Sequence, residues 1–248
     1  LSRESFAALA SGHDSAESLA GALLPPFSEK LWQVLLVLWE RWLPDRPSFE
    51  QVQVWLFDGY QYLENDDTKA ALDPWRKFWQ SLKPVVVKKG LQSTEEVDDV
   101  LGAIHSVCAW HFDYGDALFN EGVEESGLRE EGILFSEELL SLFPKEGAET
   151  RDSWRRSIAE NHFLLGRESI TNRLFSQWLE EDPEWGQGYL GWAQCYSTLS
   201  PSSNPKRAEE ILLRALKVLG VRDKDLLYAH LIEIYQDENR SSEVELLR

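Results

Sequence analysis

His105, Cys108 and His111 stand three residues apart, with Asp113 close behind. Imidazole and thiolate are the donors that zinc and iron take, so this is the first place to look for chemistry. On one helix, however, positions i and i+3 share a face while i+6 has rotated away. A tetrahedral site would need a distorted helix and a fourth ligand. The plainer reading is core packing with half-exposed histidines. A nucleophilic Cys–His pair would need an electropositive pocket to hold the thiolate, and the surroundings here are acidic.

Other chemistries find less. Asp66-Asp67 and Glu95-Glu96-Asp98-Asp99 are carboxylate clusters, yet the chain contains no Glu-x-x-His to complete a di-metal helical site. Carboxylates at helix starts, favoured by the dipole, account for them. Gly186, Gly188 and Gly191 spell G-x-G-x-x-G, but Asp182-Pro183 precedes them in place of a strand, so the dinucleotide context is missing. No enzyme activity, metal or cofactor is expected from these patterns.

Composition narrows the partners. The 248 residues carry a formal net charge of −18, with 43% hydrophobic and 27% charged residues and 11 Trp. Acidity is shared by both halves. Lys88-Lys89 and Arg155-Arg156 are isolated basic pairs, so no stripe exists to displace counterions from a nucleic acid, and an anionic membrane surface is disfavoured too. The apolar stretch from Leu31 to Trp39 is interrupted by Gln33 and too short to span a bilayer. Two distant cysteines without a Cys-x-x-Cys pair suit a reducing compartment. A cytoplasmic protein with a protein or peptide partner is expected.

The elements that must position any site read as helices throughout. Residues 1–27 form a weakly structured segment, with Phe6, Leu9, Leu19 and Leu23 on one face of a short helix and Pro25-Pro26 as its stop. A helical domain of unknown type follows over 28–147. Ser28 caps a helix with the stripe Leu31, Val34, Leu35, Leu38 and Trp42, widened by Trp32 and Trp39 so that more than one side is buried. Ser48 starts the next, with Val52, Trp55, Leu56, Gly59, Tyr60 and Leu63 on one face. Pro74 fits a first helical turn and Pro84 a stop, which leaves Val85-Val86-Val87 as a linker. Ser93 and Glu96 form a capping-box pattern, and Val97, Val100, Leu101, Ile104, Cys108 and Phe112 continue at helical spacing. Residues 120–132 are acidic and Gly-rich; Leu134, Leu139, Leu140 and Phe143 then suggest a short helix. Pro144 to Thr150 reads as the boundary loop.

From Trp154 onward the chain repeats. Ile158, Ala159 and His162 are matched by Trp192, Ala193 and Tyr196, each pair 34 residues apart. Tyr189, Trp192, Ala193 and Tyr196 give a large-large-small-large first helix. Ala208, Leu212 and Ala215 give a small-large-small second helix, after a turn from Ser200 to Pro205. Phe175 and Trp178 occupy the second helix of the preceding unit, and Pro183 ends it. A third unit starts near Tyr228, with Leu231, Ile232 and Tyr235, and its second helix starts near Val244.

On these residues the segment 148–248 resembles the TPR family of helix-pair repeats. More narrowly, Phe163-Leu164-Leu165-Gly166-Arg167 and the run from Leu179 to Trp192 look like the helical part of bacterial proteins that often carry a SEC-C zinc motif. The Cys and His ligands of that motif are absent here, so its zinc function does not carry over. With the helices read before it, the chain is expected to be all-α, a helical bundle followed by the TPR-like α-α superhelix that the resemblance implies. The resemblance also implies a concave groove lined by Arg156, Glu160 and Phe163 in the first unit, Gln187, Leu190, Gln194 and Ser197 in the second, and Glu233 and Gln236 in the third. That face holds one cation, which disfavours a carboxylate clamp for a peptide C-terminus. The aromatics Tyr189, Trp192, Tyr196, Tyr228 and Tyr235 are expected to pack between helices. A protein-interaction scaffold is the leading reading. The alternatives are an enzyme or metal-dependent accessory protein with a site near His105, and a scaffold that self-associates through an exposed end of the array.

Overall fold

A computed structural model describes residues 2–23, 28–102, 104–199 and 204–247. The expected stop at Pro25-Pro26 and most of the turn from Ser200 to Pro205 lie outside these residues. The described chain is all helical, without a strand. Its helices are α1 (Arg3–Ala10), α2 (Ala16–Leu23), α3 (Glu29–Trp42), α4 (Phe49–Glu64), α5 (Thr68–Lys89), α6 (Thr94–Leu101), α7 (Val107–Glu121), α8 (Ser126–Leu142), α9 (Ala148–Leu164), α10 (Glu168–Glu181), α11 (Gly186–Ser197), α12 (Pro205–Ala215), α13 (Lys224–Asp237) and α14 (Ser241–Leu247). Among the described residues, no helix is long and apolar enough to cross a membrane.

The chain forms two compact units. The first holds residues 1–117 and 142–145; the second holds 118–141 and 146–248. In the first unit, α1, α2 and α3 share a small core of Phe6, Ala10, Leu19, Leu35 and Trp39. Phe6 meets Trp39 and Trp42 edge to face, at 6.2 and 5.5 Å between ring centres. Leu9 and Leu23 are exposed, because two helices replace the expected one and Phe6 and Leu19 take the inner face. The helix α3 buries only Leu35 and Trp39 and leaves Val34 and Val37 exposed, so it is covered on one side and not on several.

Pro84 does not close its helix. The helix α5 runs from an Asp67 cap, whose carboxylate accepts from Ala70 N at 3.0 Å, to Gly90. Pro74 and Pro84 both lie inside it, and Pro74 is not in its first turn. A proline removes one backbone donor. Here the buried stripe Trp75, Phe78, Trp79, Leu82 and Val86 outweighs that loss and carries Val85-Val86-Val87 into the helix. The stop is Gly90, left-handed at φ 67°, with Leu91 N bonded to Val86 O at 3.1 Å.

The continuous helix expected after Ser93 is broken. Ser93 and Glu96 do cap α6: Glu96 N donates to Ser93 Oγ at 3.2 Å, and the Glu96 carboxylate accepts from Gln92 N at 2.6 Å. Gly102, left-handed at φ 56°, then ends it, and Ile104 stands in the open. The helix α7 restarts on Asp98, whose carboxylate accepts from Ser106 Oγ, Val107 N and Cys108 N. Aromatic packing fills the space between α5 and α7: Phe78 meets Trp110 at 4.6 Å and Trp110 stacks on Tyr114 at 5.3 Å. The helix α8 is longer than the short one expected and begins inside the acidic stretch, at Ser126.

In the second unit, α9 to α14 form three consecutive helix pairs: α9 with α10, α11 with α12, and α13 with α14. The middle helix α11 also packs on α9 at one side and α13 at the other. One core joins them, including Ile158, Ala159, Phe175, Trp192, Ala193, Leu212, Leu231 and Tyr235. The small residues Ala159, Ala193, Ala208 and Ala215 are fully buried at the helix seams. Phe175 stacks on Trp192, at 6.0 Å and nearly parallel.

Candidate functional site

The face shared by α9, α11 and α13 carries most of the residues singled out for a groove, and they bond to one another. Arg156, on α9, is the hub. Its Nε and Nη2 donate to Glu160 Oε1 at 3.2 and 3.0 Å, one turn along the same helix. Its Nη1 reaches Gln187 Oε1 at 3.2 Å, and Nη2 reaches Gln194 Oε1 at 3.0 Å, both on α11. Four polar side chains thus bridge two neighbouring helices. Gly191 makes room for the bridge: a Cβ there would stand 2.7 Å from Arg156 Nε. Burial pushes the Glu160 carboxyl above its ordinary value, against the opposing pull of Arg156. Burial, with the Glu160 charge, likewise raises the thiol of Cys195, which is fully enclosed on α11.

A second link joins α11 to α13. Ser197 Oγ lies 2.9 Å from His230 Nε2, and His230 Nδ1 lies 3.0 Å from Glu233 Oε2. Phe163 meets Tyr196 edge to face at 5.3 Å, and Leu190 is half-buried against the core. Gln236 is exposed. The aromatics expected between helices are there: Tyr189, Trp192, Tyr196 and Tyr235 are buried, with Tyr228 partly so. Their polar ends are anchored. Tyr196 OH and Trp192 Nε1 both donate to Asn172 Oδ1, at 2.8 and 2.7 Å. Burial raises the Tyr196 and Tyr235 hydroxyls to about 12.

At the N-terminal ends of α9 and α11 and just before α13, a cavity of about 460 Å³ opens among Glu149, Asp152, Arg156, Trp185, Arg222 and Asp223. No single motif marked it, because its wall comes from three separate stretches of chain. Arg222 is held by Asp182, with Nη2 2.5 Å from Oδ2, and its backbone N donates to Glu184 O at 2.9 Å. The glycines of the G-x-G-x-x-G run serve this packing. A Cβ on Gly186 would stand 1.9 Å from Arg222 O, and one on Gly188 would run into the Trp185 ring.

The residues considered for metal binding lie in the first unit and do not converge. His105 sits outside any helix, stacked on Tyr60 at 4.2 Å. Cys108 is on α7, with Sγ 3.0 Å from Thr94 Oγ1. His111 is buried, its ring 4.0 Å from that of Phe112. Asp113 accepts from Tyr60 OH at 2.7 Å. Among the described residues, no three His, Cys, Asp or Glu side chains come together to hold a metal ion. Burial raises the Cys108 thiol, the opposite of what a nucleophile requires.

Compared with protein-family models and with curated proteins, the chain matches none.

Proposed function

We propose that residues 148–247 are a TPR-like array acting as a non-enzymatic interaction module, with a partner polypeptide seated along the face of α9, α11 and α13. The observation that carries this reading is the position of α11, packed between α9 and α13 while each of the three has its own second helix behind it. That stacking is how helix pairs cover their apolar sides and curve. It leaves one face of the first helices for a ligand. The amide N–H groups of Gln187 and Gln194, whose oxygens Arg156 engages, and Ser197 supply hydrogen-bonding groups there, and Leu190 and Phe163 supply apolar contact. An extended segment is recognised through such main-chain bonds and a few side-chain pockets.

The test is photo-crosslinking from benzoylphenylalanine placed at Leu190, at Gln236 or, as a control, at the exposed Glu180 of α10. The groove reading expects polypeptide adducts from the first two positions and not from the third. Equal yields from all three sites would refute it.

A further inference from the structure

We infer that the cavity between the end of α3 and the start of α4 docks a proline-rich segment of a partner polypeptide, one that carries a lysine or arginine beside its prolines. The site lies in the first unit and is independent of the groove reading.

Its wall is apolar and stiff. Leu43, Pro44 and Pro47, from the connection between the two helices, line a cavity of about 300 Å³ together with Trp55 of α4. The two prolines fix the backbone there and bring no N–H of their own. Trp39 pins the connection: its Nε1 donates to Arg46 O at 2.7 Å, and the Arg46 guanidinium lies over its ring at 5.3 Å. Ser48 is spent on the cap of α4, where it accepts from Gln51 N at 3.4 Å.

Two open donors distinguish this cavity from a plain apolar dent. Trp55 is half-buried, and its indole N–H meets no acceptor among the described residues, yet it is not sealed from solvent. One turn earlier on the same helix, Gln51 also lines the cavity, and its carboxamide has no partner among the described residues. Residues four apart on a helix share a face. A polyproline II strand is the matching ligand. Its carbonyls make no internal hydrogen bonds, and its prolines have no N–H that would need an acceptor in the site. The indole donates to such a carbonyl while its ring packs against a pyrrolidine.

Charge sets what flanks the prolines. Glu40 lines the same cavity, is exposed, and forms no ion pair among the described residues. A lysine or arginine next to the proline stretch answers that carboxylate. A free ammonium ligand fits less well, because caging a cation takes aromatic faces and Trp39 already serves Arg46.

The experiment measures binding of three labelled decapeptides to the full chain by fluorescence anisotropy at low salt. They are two Arg followed by eight Pro, two Ser followed by eight Pro, and two Arg followed by alternating Ala and Ser. Trp55→Phe keeps an aromatic ring and removes the donor. Glu40→Gln removes the exposed charge without touching the core, and Glu29→Gln, outside the cavity on the same helix, is the control. Circular dichroism checks that each variant is folded. The inference expects saturable binding of both Pro peptides, tighter for the one with Arg, and none of the Ala/Ser peptide. Trp55→Phe should weaken both Pro peptides about fivefold, the worth of one hydrogen bond. Glu40→Gln should weaken the Arg-Pro peptide about threefold, to the level of the Ser-Pro peptide, and Glu29→Gln should change neither. Failure of the Pro peptides to bind, equal binding of the Ala/Ser peptide, or affinities that ignore either Trp55→Phe or Glu40→Gln overturn it.

Discussion

Gly59 on α4 and the indole of Trp75 on α5 occupy adjoining space: a Cβ on Gly59 would stand 2.1 Å from Trp75 Nε1. The indole has no retreat. It is fully buried, and Nε1 donates to Leu56 O at 3.2 Å. Alanine is the better helix former by about 1 kcal/mol, yet overpacking of a tight seam costs about 1–3 kcal/mol and the hydrogen bond is displaced as well. Gly59→Ala is therefore expected to destabilise the protein by about 2 kcal/mol in urea unfolding. Adding Trp75→Phe removes the clashing ring, so the double variant should lose less than the two single losses combined. Additive losses would show that the seam is not where the strain lies.

Arg156→Met should be costly because Glu160 then stays behind without its cation. Breaking a buried pair on one side costs about 3 kcal/mol. The pH dependence has a definite sign. Burial already raises the folded Glu160 carboxyl above its ordinary 4.5, and losing Arg156 raises it further. A raised carboxyl contributes fully below the unfolded value and loses that contribution as pH rises through the folded one. The deficit of Arg156→Met should thus be smallest in acid and grow toward neutrality. Adding Glu160→Gln should flatten that trend. Denaturant midpoints at about pH 5 and about pH 8 decide it; a deficit independent of pH would contradict the burial of this charge.

The helices of residues 148–247 were readable because helical spacing is local and periodic. Ala159 and Ala193, 34 residues apart, mark seams where two backbones approach, and both are fully enclosed. The break at Gly102 and the helix through Pro84 were not readable. Each depends on a balance between a local preference and burial supplied by distant residues. Pro84 alone argues for a stop, and only the buried Leu82 and Val86 reverse it. The bonding of Arg156 to Gln194 was not readable either, since the two meet only when α9 and α11 lie side by side. The cavity was invisible for the same reason: Asp152, Trp185 and Arg222 meet only in three dimensions. The G-x-G-x-x-G run shows the converse. Its glycines are required by close packing against Arg222, Trp185 and Arg156.

Asp98 begins α7 from the end of another helix. Its carboxylate accepts from Val107 N at 2.5 Å, Ser106 Oγ at 2.7 Å and Cys108 N at 3.2 Å. An acidic cap also answers the positive end of the helix dipole. Asp98→Ala leaves these donors unserved and is expected to cost about 2 kcal/mol. Amide exchange should quicken first at Val107 and Cys108, while Asp98→Asn, which still accepts, should retain part of the stability. Unchanged exchange at Val107 would show that α7 is held by its aromatic packing alone.

The two thiols should be slow to react in the folded protein, for reasons that differ in degree. Alkylation needs the thiolate. Burial and the neighbouring Asp98 charge raise the Cys108 thiol above its ordinary 9.0, although its hydroxyl partner Thr94 opposes the shift. Cys195 has no exposed surface, and burial and the Glu160 charge raise it further still. At neutral pH, iodoacetamide should label Cys108 more slowly than a small free thiol and leave Cys195 unlabelled until the chain unfolds. Asp98→Asn should speed Cys108 by removing a repelling charge, and Arg156→Met should expose Cys195 only through loosening of the α9–α11 seam. Intact-mass spectrometry over a time course separates the sites. Rapid labelling of Cys108 in the native protein would mean that its thiol is activated, and the reading of this region as packing would have to give way to one in which it does chemistry.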